Sequence, residues 1–146
     1  MSPHTASSPQ LSDVASPERT HWIELPGHRS SVGVARRSVS AHMAAWRLPD
    51  EMSADAVLLL SELAANAVCH TSSVRILCGV GLIADDCLRV EVHDHAYAIG
   101  GLPRCEPGPE DERGRGLFLV DEIADTWGID RSRLTGGNAV WATLVM

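Results

Sequence analysis

Apolar residues recur along this chain in two rhythms, one of helical spacing and one of strict alternation, and together they divide it into elements. From Met52 to His70 no Gly or Pro interrupts a run rich in Leu, Ala and Glu, which predicts a long helix. Glu62, Asn66 and His70 stand at i, i+4 and i+8 and form one polar stripe, with Leu59, Leu63 and Ala67 immediately beside it. A stripe bordered by Leu, Ala and Val rather than by Lys and Arg fits a lined cavity that receives a polar ligand. An ordinary exposed helix face is the other reading of the same spacing. An earlier helix is expected after Ser30 or Ser31, either of which can cap it. Val32, Val39, Met43 and Trp46 supply its apolar face before Pro49 stops it.

The alternating stretches predict strands. Trp22-Ile23-Glu24-Leu25 is short and closed by the turn signal Pro26-Gly27. Val74, Ile76, Cys78, Val80 and Leu82 alternate with Arg75, Leu77, Gly79 and Gly81, and Ala84-Asp85-Asp86 turns the chain back. On the return, Leu88, Val90 and Val92 face the core, while Arg89, Glu91 and His93 face outward. Asp94 continues the inner face, where a carboxylate needs a hydrogen-bond donor from the protein or from a ligand. A turn-forming Asp at a strand end is the simpler alternative. His93-Asp94-His95 has the composition of a metal cluster, but alternation sends its histidines outward and no Cys or Glu lies at ligand-like spacing. Ala96 to Arg113 is rich in Gly, Pro and charge and reads as a long loop, the kind that forms lids. Gly114-Arg115-Gly116 then opens a helix with an apolar face of Leu117, Val120, Ile123, Ala124 and Trp127. Amides exposed by glycines at a helix start attract phosphate, although a plain loop-to-helix junction has the same sequence. Gly128 to Arg133 and Ala139 to Val145 form a last hairpin around Thr135-Gly136-Gly137-Asn138.

Composition narrows the picture. At 146 residues the chain is expected to be one domain. Met1 to about Thr20 is half Ser, Thr and Pro without an apolar period and reads as a disordered leader to a domain over residues 21–146. The formal net charge of −7 argues against a general affinity for nucleic acid or membrane lipid and favours a protein or small-molecule partner. Arg36, Arg37 and His42 lie mostly off the apolar face of the first helix, as a solvated surface or as a site for an acidic partner. Apolar runs short of the ~20 residues that span a bilayer, and an N-terminus without a secretory signal, place the expected compartment in the cytoplasm. The four cysteines, Cys69, Cys78, Cys87 and Cys105, form no C-x-x-C pair and read as reduced.

In combination these motifs carry a resemblance. Glu62-x-x-x-Asn66, Asp94 at a strand end, a flexible loop, and Gly114-x-Gly116-Leu117 entering a helix resemble the ATP-binding boxes of the gyrase, histidine-kinase and heat-shock-chaperone ATPase superfamily. The wording ELAANAVCHT and RGRGLFLVDEIADTWGI is most similar to the small bacterial anti-sigma-factor serine/threonine kinases. The resemblance implies an α+β two-layer sandwich, the histidine kinase-like ATPase fold, with a mixed, largely antiparallel sheet covered on one face by helices. It implies ATP and Mg2+ as cofactors, with Glu62 as general base, Asn66 as the magnesium-binding amide and Asp94 as the adenine-reading carboxylate. Gly114, Gly116 and Leu117 match the lid end that reaches phosphate, with Arg115 adding charge. An anti-anti-sigma domain protein and a sigma factor are the implied partners, and a homodimer is compatible. Two departures stand out. Ala96 and Ala98 occupy positions where relatives show Gly in Asp-x-Gly-x-Gly, and Gly137-Asn138-Ala139 lacks the hydroxyl of the usual Gly-x-Thr. A catalytically inert binding module of the same fold is therefore the alternative.

Overall fold

Backbone pairing follows the alternation closely. In the computed structural model, which describes residues 10–70, 73–95 and 119–146, helix α1 (Leu11–Val14) and a 3-10 turn (Pro17–Arg19) precede strand β1 (Thr20–Pro26). Helices α2 (Ser31–Ala45) and α3 (Asp50–His70) follow, then strands β2 (Arg75–Ala84) and β3 (Cys87–His93). Residues 119–123 are helical, and β4 (Thr126–Arg131) and β5 (Asn138–Val145) end the chain. The strands form one sheet in the order β1-β2-β3-β5-β4, and every described ladder is antiparallel. This is the α+β sandwich expected, with α2 and α3 over one sheet face.

The apolar layer lies between α2, α3 and that face. Leu59, Leu60, Leu63 and Ala64 of α3 and Ala35, Val39 and Met43 of α2 are buried against Ile76, Cys78, Val80, Leu88, Val90 and Val92. Each large aliphatic side chain so buried contributes about 1.5–3 kcal/mol. Asp50–Cys69 is long and apolar enough to cross a membrane by length and composition, longer than the apolar runs recognised in the sequence. Here that surface packs on the sheet and α2, as in the core helix of a folded domain. Cys78 and Cys87 are free thiols, and burial pushes the Cys78 thiol up to about 12. Cys69 is disulfide-bonded, contrary to the reduced state expected; Cys105 lies outside the described residues.

Several boundaries differ from the pattern for local reasons. Neither expected cap accepts a backbone N–H of α2: Ser30 Oγ lies 2.9 Å from His28 Nδ1, and Ser31 Oγ donates to the Pro26 carbonyl at 2.7 Å. Pro49 does not end α2. Arg47 does, in a left-handed conformation (φ 58), with Arg47 N–H donating to Ala44 O and Leu48 N–H to Met43 O, the bonds of a left-handed helix terminus. Trp127 belongs to β4 rather than to the preceding helix, because Ala124 N–H makes the last helical bond, to Val120 O, and Asp125 N–H turns to Thr143 O on β5.

The largest correction concerns the second sheet face. Arg89, Glu91 and His93, read as outward, are buried, and residues 10–19, read as part of a disordered leader, contain the α1 segment that packs on β2 and β3. Period two fixes which side a residue takes, not whether something covers that side. A register row runs across all five strands here: Trp22 pairs with Gly79, Gly79 with Glu91, Glu91 with Trp141, and Trp141 with Gly128. Both glycines give room to an indole, since a Cβ at Gly79 would lie 2.5 Å from the Trp22 ring and one at Gly128 2.8 Å from Trp141. Between the indoles, Glu91 Oε2 accepts from Arg89 Nε and from the backbone N–H of Leu11, each at 2.6 Å. Glu91 Oε1 lies 2.7 Å from His93 Nε2, and the Arg89 guanidinium sits 4.3 Å over the Trp141 ring. The buried carboxylate is thus met by three donors.

On the helical side, His21 and His42 stack at 3.5 Å with their planes 9° apart, and His21 Nε2 lies 2.7 Å from Ser38 Oγ. Burial first, then the neighbouring His42, lowers the His21 pKa below its usual 6.5. The folded state therefore binds fewer protons than the unfolded state below that value, so stability present above about pH 6.5 is lost as the pH falls through the folded value. Thermal melts between pH 7.5 and 5 are expected to show a declining Tm, and His21→Gln should flatten the decline; an identical slope in the variant would exclude this pair as its source.

Candidate functional site

The polar stripe of α3 lies at the border of its buried face. Leu59, Leu63 and Ala67 are buried, Leu58 is exposed, and Glu62 and Asn66 are half-buried between them. A helical turn separates the two polar side chains, so both project from the same border. Packing of the adjacent leucines against the sheet fixes the helix on which they stand. Among the strands, helix α3 lies chiefly against β3, the central one, and Asp94 follows directly after its end. The fold thus brings the acid–amide pair and the Asp94 carboxylate onto two elements packed together.

Asp94 is 3% exposed, and the β4–β5 turn holds it. Its Oδ1 accepts the backbone N–H of Asn138 at 3.0 Å, and the Asn138 side-chain amide lies 3.4 Å from Oδ2 and 3.5 Å from Oδ1. The Asp94 N–H donates to Asn138 O at 2.9 Å, and its carbonyl accepts from Thr135 Oγ1. The next residue is fixed as well, His95 N–H donating to Ser73 Oγ at 2.9 Å. The sequence leaves open whether protein or ligand supplies the donor for Asp94; Asn138 supplies one. Asn138, Thr135 and the turn around Ser132 were not among the expected site residues. The departure noted in that turn is the hydroxyl missing at Ala139; Asn138, the residue before it, carried no signal of its own. Both ring nitrogens of His93 are engaged, Nε2 by Glu91 and Nδ1 by Ser132 Oγ at 2.6 Å, which removes the His93-Asp94-His95 run as a ready ligand set.

Gly114, Arg115, Gly116 and Leu117, and the Ala96 to Arg113 loop, lie outside the described residues. Arg36 and Arg37 line an open groove of about 560 Å³ with Gly33, Ser40, Ala41, Ala44 and Val57. His42 is turned away into the stack with His21.

A helix bearing an acid and an amide one turn apart is packed on an antiparallel sheet whose central strand runs out into a buried carboxylate, an α+β sandwich. Residues 25–144 match the histidine kinase-like ATPase domain, and the chain belongs to that family. No curated protein matches it. Membership makes ATP the ligand of this domain, and the donor set fits. Asp94 is a buried acceptor of the kind that reads an amino group on a base, and the half-buried Asn66 carries an amide oxygen of the kind that ligates a hard cation.

Asp94→Asn is expected to weaken ATP binding by about 1–3 kcal/mol, the range for a hydrogen bond to a charged group. Asn138→Ala, which leaves the backbone donor in place, is expected to lose about 0.5–1.5 kcal/mol. Titration calorimetry compares the two, and wild-type affinity in Asp94→Asn would remove Asp94 from the site.

Proposed function

We propose that this chain is an ATP-dependent protein serine/threonine kinase of anti-sigma type, which transfers the γ-phosphoryl group of ATP to a Ser or Thr of an anti-anti-sigma domain protein and otherwise sequesters a sigma factor. The observation that carries the reading is the Glu62 and Asn66 pair, one turn apart at the half-buried border of α3, on the helix packed against the strand that leads into Asp94. Asp94 orients the base of the nucleotide. Asn66 would hold Mg2+, and the ion would neutralise phosphate charge that Glu62 alone would repel. Glu62 takes the proton of the attacking hydroxyl as that oxygen bonds to phosphorus and ADP departs. Gly114, Arg115, Gly116 and Leu117, outside the described residues, are assigned to phosphate by their match to the family's lid-end sequence alone. Such a regulator works in the cytoplasm.

The Ala96 and Ala98 departures favour a second reading, in which the same domain binds a protein partner without catalysis. Glu62→Ala separates the two. A kinase so altered is expected to keep most ATP affinity and lose phosphoryl transfer by two to four orders of magnitude, roughly the share of general-base catalysis. Asn66→Ala should lose both binding and rate. The measurement is transfer of radiolabel from ATP to a cognate anti-anti-sigma domain. Wild-type protein that binds ATP and partner yet transfers no label would leave only the binding module.

A further inference from the structure

The same short turn that holds Asp94 also receives the N-terminal segment on the opposite side of the sheet. Gln10 is 2% exposed and Leu11 fully buried. The Gln10 side chain spans the end of β4, donating from Nε2 to Arg131 O at 2.6 Å and accepting at Oε1 from Arg133 N–H at 3.1 Å. Asp13 Oδ2 accepts from Arg133 Nη1 at 2.7 Å and from Gln10 N–H at 3.0 Å. A buried amide whose donor and acceptor both find backbone partners is a specific lock rather than a chance contact.

A second connection runs through the buried row. Leu11 N–H donates to Glu91, Glu91 meets His93, and His93 meets Ser132. Ser132 Oγ already accepts from Leu134 N–H at 3.1 Å and Thr135 N–H at 2.9 Å. Its own hydrogen is thereby directed to His93 Nδ1, which leaves the Nε2 hydrogen for Glu91; the tautomer follows from the hydrogen-bond pattern. Thr135 Oγ1 then donates to Asp94 O, and Asn138 N–H to Asp94 Oδ1. Each link is directional, and most of the side chains carrying them are buried. We infer that Gln10, Leu11 and Asp13 are an intramolecular ligand of the β4–β5 turn and thereby positioning residues for Asp94. This inference rests on the base-reading role proposed for that carboxylate. Docking of the segment fixes Arg131 to Arg133, the Ser132-anchored turn follows, and the turn sets where Asp94 stands against the nucleotide. Undocking loosens the carboxylate while leaving the apolar layer between helices and sheet in place.

The test uses the full chain with Gln10→Ala and, separately, Leu11→Ala. Hydrogen exchange at the amides of Leu134, Thr135 and Asn138 reads the turn. The ratio of ATP to inosine triphosphate affinity reads Asp94, because inosine carries a carbonyl where adenine carries the amino group. Both variants are expected to exchange at the turn at least tenfold faster than wild type, with unchanged protection in α3. Their preference for ATP should fall about three- to tenfold while inosine triphosphate affinity stays constant. Wild-type turn protection in both variants overturns the docking link. Faster exchange with an unchanged nucleotide ratio overturns the positioning role. Wild-type protein that does not distinguish the two nucleotides instead removes the base-reading role of Asp94, and the exchange rates then still report whether the segment holds the turn.

Discussion

A carboxylate cut off from water must be met by donors, and in this domain Glu91 imposes that condition at the middle of the central strand. Its partners come from three directions: Arg89 and His93 from its own strand, and Leu11 from the N-terminal segment. The indoles of Trp22 and Trp141 flank the group, and Gly79 and Gly128 are the positions that admit them. A buried ion pair of this kind adds little net stability compared with an apolar replacement of the same shape. Its effect is on uniqueness. Sliding β3 by one residue would carry Arg89, Glu91 and His93 into the layer beneath α3 and place Leu88, Val90 and Val92 among the polar groups, so one pairing register is strongly preferred.

Helix α3 shows the complementary constraint. Its leucines supply much of the apolar layer, and the same helix presents Glu62 and Asn66 at the border of that layer. A site on the edge of a packed face inherits the rigidity of the packing, because the backbone cannot rotate without unseating Leu59 and Leu63. The opposite wall is held differently. Asp94 owes its place to a turn whose hydrogen bonds run from Ser132, Thr135 and Asn138, a small set that changes more readily than a hydrophobic layer.

Much of this was legible from periodicity alone. Ile76 to Leu82 and Leu88 to Val92 declare their inward faces, since a pleated strand has no choice about alternation. The Glu62 and Asn66 pair is visible because helical spacing is equally fixed. What covers a face is not encoded in its period. Arg89, Glu91 and His93 therefore read as solvent-facing, and the residues that bury them, Gln10 and Leu11, sit in a stretch whose Ser and Pro content hides two anchoring side chains. Turn chemistry was the other blind spot. Arg47 ends α2 through a conformation that its residue type does not announce, and Asn138 reads as an unremarkable turn residue until its amide and backbone N–H are seen against Asp94.

The paired indoles and glycines tie the history of distant positions together. Because Trp22 fills the space above Gly79, and Trp141 the space above Gly128, neither glycine can acquire a side chain while its indole remains. Each tryptophan is also useful only while its glycine persists. Drift at these sites must therefore proceed in correlated steps through poorly packed intermediates, with the smaller residue changing after the larger one has gone. A sheet face built this way diverges more slowly than the chemistry of its individual residues would suggest.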